Sequence, residues 1–295
     1  MNKFFGRVLY HVMKPVIGAI AKVDKKIYGL EKPIDSIGPY DIYKVVGKGG
    51  CGIVYLAFSN SHDQFVALKT YRDDLFSSGG IVNRFTKEAE VWINLDEHPN
   101  IVKAIYVDNI DNRIFIVMEY INGLDGLVSL NDYFVKGRID RIEAIRWSIQ
   151  FCHGMEFAFK KGIKAHRDIK PANILIQNGN LKITDFGLSG LLYQSHHSVD
   201  VLSNVDPADN LTAFGIGMGT PTHMAPEQFN DATHCDEKSD IYSFGIVLYQ
   251  MVSAGKLPFH TDQKNNYWRI MQHLHSEAPV PVSIVRLATC IQRRQ

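Results

Sequence analysis

The chain has 295 residues, enough for one large domain or two smaller ones with a substantial buried core. Hydrophobic residues make up 45% and charged residues 21%, the balance of an ordinary globular protein, and a formal net charge of +1 gives no overall attraction to polyanions, so no nucleic-acid partner is expected. Cys51, Cys152, Cys235 and Cys290 are scattered without a C-x-x-C pair and read as reduced thiols rather than a disulfide framework or a zinc site. No apolar run approaches the roughly 20 residues of a membrane-spanning helix. Lys14 and Pro15 interrupt the N-terminal apolar stretch, so a signal peptide is not expected and a cytoplasmic location is.

Residues 1–39 form the first expected unit, a basic amphipathic segment and linker. Phe5, Val8, Leu9, Val12, Val16, Ile20, Val23 and Ile27 recur at the helical period, and Lys3, Arg7, Lys14, Lys22, Lys25 and Lys26 supply cations around them. Such a helix can lie on an anionic membrane surface through residues 1–27, or its apolar face can dock on protein. Lys32-Pro33 to Gly38-Pro39 reads as the linker that closes the segment.

From Tyr40 the pattern changes to short β-type runs at Asp41–Val46, Gly52–Phe58 and Gln64–Tyr71, then a helix over Gly80–Leu95, then strands at Ile101–Val107 and Arg113–Tyr120. Five strands and one helix make a small lobe over 40–121. The remainder, 122–295, turns mostly helical, at Asp140–Lys161, Lys238–Ala254 and Asn266–Leu274, with two short strands at Ile174–Ile176 and Leu181–Thr184. Segregated strands and helices predict an α+β chain of two lobes with a cleft between them.

The first chemical signal is Gly47-Lys48-Gly49-Gly50-Cys51-Gly52-Ile53-Val54. Glycines let a backbone approach phosphate oxygens closely and aim its amides at them. The pattern alone is weak, because a structural glycine turn explains it equally well. It lies between two strands, unlike a dinucleotide-binding turn, and it lacks the GK[ST] ending of a P-loop. The next strand then delivers Val66-Ala67-Leu68-Lys69. A lysine needs a carboxylate to aim its flexible ammonium, and Glu88 and Glu90 on the following helix are the candidates. Glu88 shares a face with Trp92 and Leu95 and is preferred.

The decisive segment is His166-Arg167-Asp168-Ile169-Lys170-Pro171-Ala172-Asn173, followed by Asp185-Phe186-Gly187 and by Ala225-Pro226-Glu227. Together with the glycine loop and Lys69 these motifs resemble those of protein kinases, in the order and spacing of that family. The resemblance extends over roughly Tyr40 to Phe259 and more weakly beyond. It implies a two-lobed fold with a small five-stranded antiparallel lobe, and transfer of the ATP γ-phosphate with Mg²⁺. Asp168 would orient the substrate hydroxyl and take its proton, Lys170 would neutralise the moving phosphoryl group, and Asn173 and Asp185 would hold the metal. Lys69, aimed by Glu88, would hold the α- and β-phosphates. Lys170 implies serine or threonine in the protein substrate, since tyrosine kinases carry Ala-x-x-Arg or Arg-x-Ala after the aspartate.

The same resemblance places the nucleotide among Val46, Gly47, Lys48, Gly49, Gly50, Cys51, Gly52, Val54, Ala67, Lys69, Met118, Glu119, Ile121 and Leu175. Val54, Ala67 and Leu175 would sandwich the adenine, the backbones of Glu119 and Ile121 would bond its edge, and Met118 would control the back of the pocket. Asp240 resembles the helix aspartate that braces the catalytic loop. Thr212, in the long segment between Asp185 and Glu227, is an expected phosphorylation site.

Two departures from the family pattern stand out. His223 occupies the tyrosine position of Gly219-Thr220-Pro221-Thr222-His223-Met224-Ala225-Pro226-Glu227, and no arginine presents itself as a partner for Glu227. The second suggests that the helical lobe is truncated and the chain a fragment, with Glu227 a buried carboxylate lacking its counter-ion. A nucleotide-binding pseudokinase or scaffold is the main alternative. It is disfavoured because Lys69, Asp168 and Asp185 are all retained.

Overall fold

The computed structural model describes residues 32–48, 52–71, 86, 89–137, 139–186, 222–229 and 235–259. Gly49, Gly50, Cys51, Glu88, Gly187, Thr212, the helices expected near the N-terminus and at 266–274, and the expected membrane-contact segment 1–27 lie outside the described residues. The chain divides into two compact units. One comprises Met1–Lys48, Gly52–Tyr71 and Ile105–Tyr120, the other Gly49–Cys51, Arg72–Ala104 and Ile121–Gln295.

The first unit is built on a six-stranded sheet in the order β1-β2-β3-β4-β6-β5. Its strands are β1 (Asp35–Ile37), β2 (Tyr40–Lys48), β3 (Ile53–Ser59), β4 (Gln64–Thr70), β5 (Ala104–Ile110) and β6 (Arg113–Glu119). The expected five strands are thus joined by a sixth, drawn from what reads as a linker. Ile37 pairs with Tyr40 across a two-residue turn. Gly38 adopts φ +52° there, the positive value that tight hairpin turns require. Gly38-Pro39 is therefore a hairpin signal, and the run before it was too short and polar to show periodicity. Asp111 and Asn112 do the same for β5 and β6, with φ of 50° and 61°.

The strand expected at Ile101–Val107 begins three residues later, at Ala104. Ile101 instead bridges to Ile183, and the Val102 amide donates to the Ile183 carbonyl at 2.8 Å. An apolar run cannot reveal which of two backbone partners it will take.

Register sorts the first unit's side chains onto two faces. Directly paired residues of an antiparallel ladder share a face, as do residues two apart on one strand. Val54 pairs with Lys69, and Ala67 pairs with Met118. Val54, Ala67, Lys69 and Met118 therefore stand on one face. The other face carries Tyr40, Ile42, Ala57, Val66, Leu68, Phe115 and Val117, which pack into one cluster. Because both faces of β4 are covered, its residues Val66 to Thr70 are all buried, including Lys69 at 5% exposure.

The second unit contains helices α1 (Leu130–Lys136), α2 (Arg141–Lys160) and α3 (Glu237–Val252) and the hairpin of β7 (Ile174–Gln177) and β8 (Asn180–Ile183). Each helix starts where a short polar side chain can take an orphan amide. Ser129 caps α1 with Asp132 in a reciprocal box, Asp140 caps α2 with Glu143, and Asp236 caps α3. The helix α1 was not among the expected ones; Ser129-x-x-Asp132 and Gly137, in the left-handed region at φ 61°, were its local signals. Phe151 of α2 stacks on Phe244 of α3, with ring centres 3.8 Å apart. Trp147 donates to the Gly179 carbonyl at 2.9 Å and so ties α2 to the turn between β7 and β8. That attachment fixes the hairpin whose two ends lead out of Asn173 and into Asp185.

Candidate active site

The loop from His166 to Asn173 is held from below by one buried carboxylate. Asp240, in the first turn of α3, accepts the His166 amide at 2.6 Å and the Arg167 amide at 2.8 Å. Burial pushes its carboxyl above the ordinary carboxylate range, opposed by His166, by the two amide bonds and by Arg167. Arg167 itself sits at φ +69°, which costs a non-glycine residue about 1–2 kcal/mol. Hydrogen bonds to a charged group contribute about 1.5–3 kcal/mol each, so the bonds to Asp240 offset a cost of that size.

His166 is completely buried and has a fixed tautomer. The Asp168 amide donates to its Nδ1 at 3.3 Å, so Nε2 carries the hydrogen and donates to the Thr184 carbonyl at 2.8 Å. Its ring also packs on Phe186, with centres 4.8 Å apart. One imidazole therefore ties the residue before Asp185 to the backbone of Asp168.

Asp168 is partly open to solvent, with 29% of its side chain exposed. Its Oδ2 accepts from Lys170 Nζ and from Asn173 Nδ2, both at 2.8 Å, and Asn173 Nδ2 also reaches the Asp168 carbonyl at 2.8 Å. Among the described residues nothing donates to Oδ1, which leaves that oxygen available for an incoming hydroxyl. Both hydrogens of the Asn173 amide are used on Asp168, so Asn173 presents its Oδ1 elsewhere. The Thr184 amide donates to the Asn173 carbonyl at 3.0 Å, which brings Asp185 next to Asn173 in the backbone ladder. Asp185 takes φ +69°, a second left-handed residue at the site.

These two side chains offer one amide oxygen and one carboxylate, hard donors that suit Mg²⁺. Among the described residues no group of three or more His, Cys, Asp and Glu side chains could hold a metal unaided. Mg²⁺ ordinarily binds through one or two carboxylates plus substrate phosphates, so the donor set fits that usage.

Four expected nucleotide residues, Val54, Ala67, Lys69 and Met118, are brought to one face of the first unit's sheet. Gly47 lies opposite Val54 in the same ladder. At Gly52 an added Cβ would meet the Thr70 carbonyl oxygen at 2.1 Å, so only glycine lets β3 leave the loop so close to β4. Val46 and Lys48 are on β2, Glu119 ends β6, and Ile121 and Leu175 belong to the second unit. Glu90, the less favoured alternative to Glu88, is exposed.

The segment 222–229 corrects one expectation and explains another. Glu227 is exposed rather than buried, and Ser239 Oγ donates to it at 2.5 Å. The premise of a costly buried carboxylate therefore does not hold. His223 accepts the Thr222 hydroxyl at Nδ1, 2.9 Å away, and donates from Nε2 to Gln250 Oε1 at 2.6 Å. Burial holds its pKa below the ordinary histidine value. Gln228, which carries no motif signal, donates Nε2 to the Arg167 carbonyl at 3.0 Å.

Comparison with known proteins agrees with this geometry. The family model described as "Protein kinase domain" matches residues 40–288, and the chain belongs to the protein kinase family. It is 35% identical over 247 residues to the probable serine/threonine-protein kinase CPE1738 of Clostridium perfringens, covering 83% of this chain and 33% of that protein. It is 34% identical over 244 residues to the serine/threonine-protein kinase PrkC of Bacillus subtilis, covering 82% of this chain and 34% of the other. The chain thus spans about a third of the length of these relatives. The kinase domain of Mycobacterium tuberculosis PknI matches it with a TM-score of 0.60 at 19% identity, covering 86% of this chain and 83% of that one. That likeness shows the fold, which is the protein kinase fold. Family membership implies the use of ATP and Mg²⁺ in general.

Proposed function

We propose that this chain transfers the γ-phosphate of ATP to serine and threonine hydroxyls of protein substrates. The observation that carries the reading is Asp168, whose Oδ2 is held by Lys170 and Asn173 while Oδ1 takes no bond among the described residues. Phosphoryl transfer through a loose transition state needs placement and charge neutralisation more than covalent help. Asp168 Oδ1 accepts the hydrogen bond of the substrate hydroxyl and then its proton. The hydroxyl oxygen bonds to Pγ as the bond from Pγ to the bridging oxygen breaks, and ADP leaves. Lys170, beside Asp168, supplies positive charge for the phosphoryl oxygens in flight.

Lys69 of the strand-rich unit binds the α- and β-phosphates; Glu88, its expected partner, belongs to the other unit. Val46, Gly47, Lys48, Gly49, Gly50, Cys51 and Gly52 line the phosphate loop, Val54 and Ala67 meet the adenine, and Met118 and Glu119 lie at its edge. In the helical unit Ile121 and Leu175 are the expected adenine contacts, and Asn173 and Asp185 would hold Mg²⁺. The metal, when bound, draws negative charge away from the phosphates.

Asp185→Ala is expected to abolish Mg²⁺-dependent ATP binding, because the carboxylate is the stronger of the two donors. Calorimetric titration of ATP with and without Mg²⁺ reads this directly; an unchanged affinity and metal dependence would remove Asp185 from the site.

The apolar and cationic pattern of residues 1–27 supports a further proposal, that the protein is cytoplasmic and peripheral to a membrane. The full chain should co-sediment with phosphatidylserine vesicles and much less with phosphatidylcholine vesicles. Equal partition, or none, would count against it.

A further inference from the structure

Gln228 is 2% exposed and lies outside the motifs that define the site. Its side chain makes two bonds with different meanings. Oε1 accepts the Ala225 amide at 2.9 Å, a local bond that caps the short 3-10 turn Pro226–Phe229 from its third position. Nε2 donates to the Arg167 carbonyl at 3.0 Å, across 61 positions of sequence. A cap needs only the first of these, and a glutamate would serve it equally well. The second bond requires an amide.

Its target is the strained residue of the catalytic loop. Arg167 stands at φ +69° and is fixed on its amide side by Asp240, 2.8 Å away. Gln228 fixes it on its carbonyl side. That carbonyl belongs to the peptide whose amide is Asp168 N–H, and this amide in turn donates to His166 Nδ1. The plane of one peptide, bonded at both its oxygen and its nitrogen, therefore sets where the Asp168 side chain starts. Strained backbone persists only where its surroundings over-determine it.

We propose that Gln228 is a positioning residue for Asp168, which couples the segment 222–229 to the catalytic loop through the Arg167 carbonyl. Any displacement of that segment, such as docking of a substrate against it, is transmitted to the orientation of the reacting carboxylate. The proposal rests on the kinase reading for its catalytic consequence, but its structural part does not.

The test is the 295-residue chain carrying Gln228→Glu, which keeps the cap acceptor and replaces the donor with an oxygen facing the Arg167 carbonyl. Gln228→Met, which keeps the length and loses both bonds, is made beside it. The expected result is a fall in kcat of about 10- to 100-fold for both, since misplacing a reacting group by about 1 Å costs on that order. The KM for ATP should stay within about twofold, because phosphate and adenine contacts lie elsewhere, whereas a general loss of packing would move both. Hydrogen exchange without nucleotide is the second reading. The Arg167 and Asp168 amides should exchange faster in both variants, while those in the middle of α2 do not. Unchanged kcat in folded Gln228→Glu, or unchanged exchange at Arg167 and Asp168, overturns the coupling. If the parent chain transfers no phosphate, the kinase reading fails on its own, and the exchange data alone decide whether the clamp exists.

Discussion

Replacing Asp168 with asparagine is expected to lower kcat by about 10³-fold or more while the protein stays folded. Removing a single positioned charge or donor commonly costs about 10²–10³ in rate, and here the same group must also receive a proton. Asparagine keeps the size of the side chain and can still accept from Lys170 through its amide oxygen. It cannot take the hydroxyl proton, and its NH2 would face either Asn173 or the incoming hydroxyl as a donor. Fold retention is expected because Asp168 is partly solvated and the loop is held by Asp240 and His166 independently of it. Steady-state kinetics and circular dichroism on the same preparation test both halves. Unchanged turnover in a folded variant would take Asp168 out of the chemistry.

Lys69→Met should have the next largest effect, about 10²-fold or more on kcat/KM. Lys69 is buried in the middle of the first unit's sheet, paired with Val54 and Ile116 and two residues from Ala67. Burying an ammonium is expensive unless it is paired and hydrogen-bonded. Methionine matches its length and suits a buried strand position, so the variant should stay folded. Lost activity with undiminished stability would mark a residue kept for function. Full activity would show that Lys69 does not meet the phosphates.

Much of this is legible in the amino-acid sequence. Short β-branched runs divided by glycine or polar turns marked β2, β3 and β4 to within a residue or two, because β-branched and aromatic side chains favour extended backbone and the turns break the runs. The helices α2 and α3 were equally plain, since each carries a polar cap before a long apolar stripe. The sheet's sixth strand was hidden, as β1 is only Asp35–Ile37 and owes its pairing to the Gly38 turn rather than to its own side chains. The start of β5 was misplaced because Ile101 and Val102 found backbone partners at Ile183, far along the chain.

The chemistry of the site was legible for a different reason. Asp168, Lys170, Asn173 and Asp185 sit in fixed local spacing, and local spacing survives in a string of letters. Their supports do not. The bond from Gln228 to Arg167 and the bond from Ser239 to Glu227 depend on folding distant segments together, and no periodicity announces them. Glu227 shows the same limit from the other side. With no arginine evident beside it in the sequence, it reads as an uncompensated buried charge only if burial is assumed, and the residue is in fact exposed with a serine hydroxyl beside it.

The most direct test of the central claim is to identify the amino acid that receives the phosphate. The full chain is incubated with γ-labelled ATP, Mg²⁺ and a protein substrate rich in serine, threonine and tyrosine, and the product is hydrolysed and resolved into phosphoamino acids. Mg²⁺-dependent label on phosphoserine or phosphothreonine, lost in Asp168→Asn, is the expected result. Label on phosphotyrosine alone, or no transfer by the folded parent chain, would contradict it.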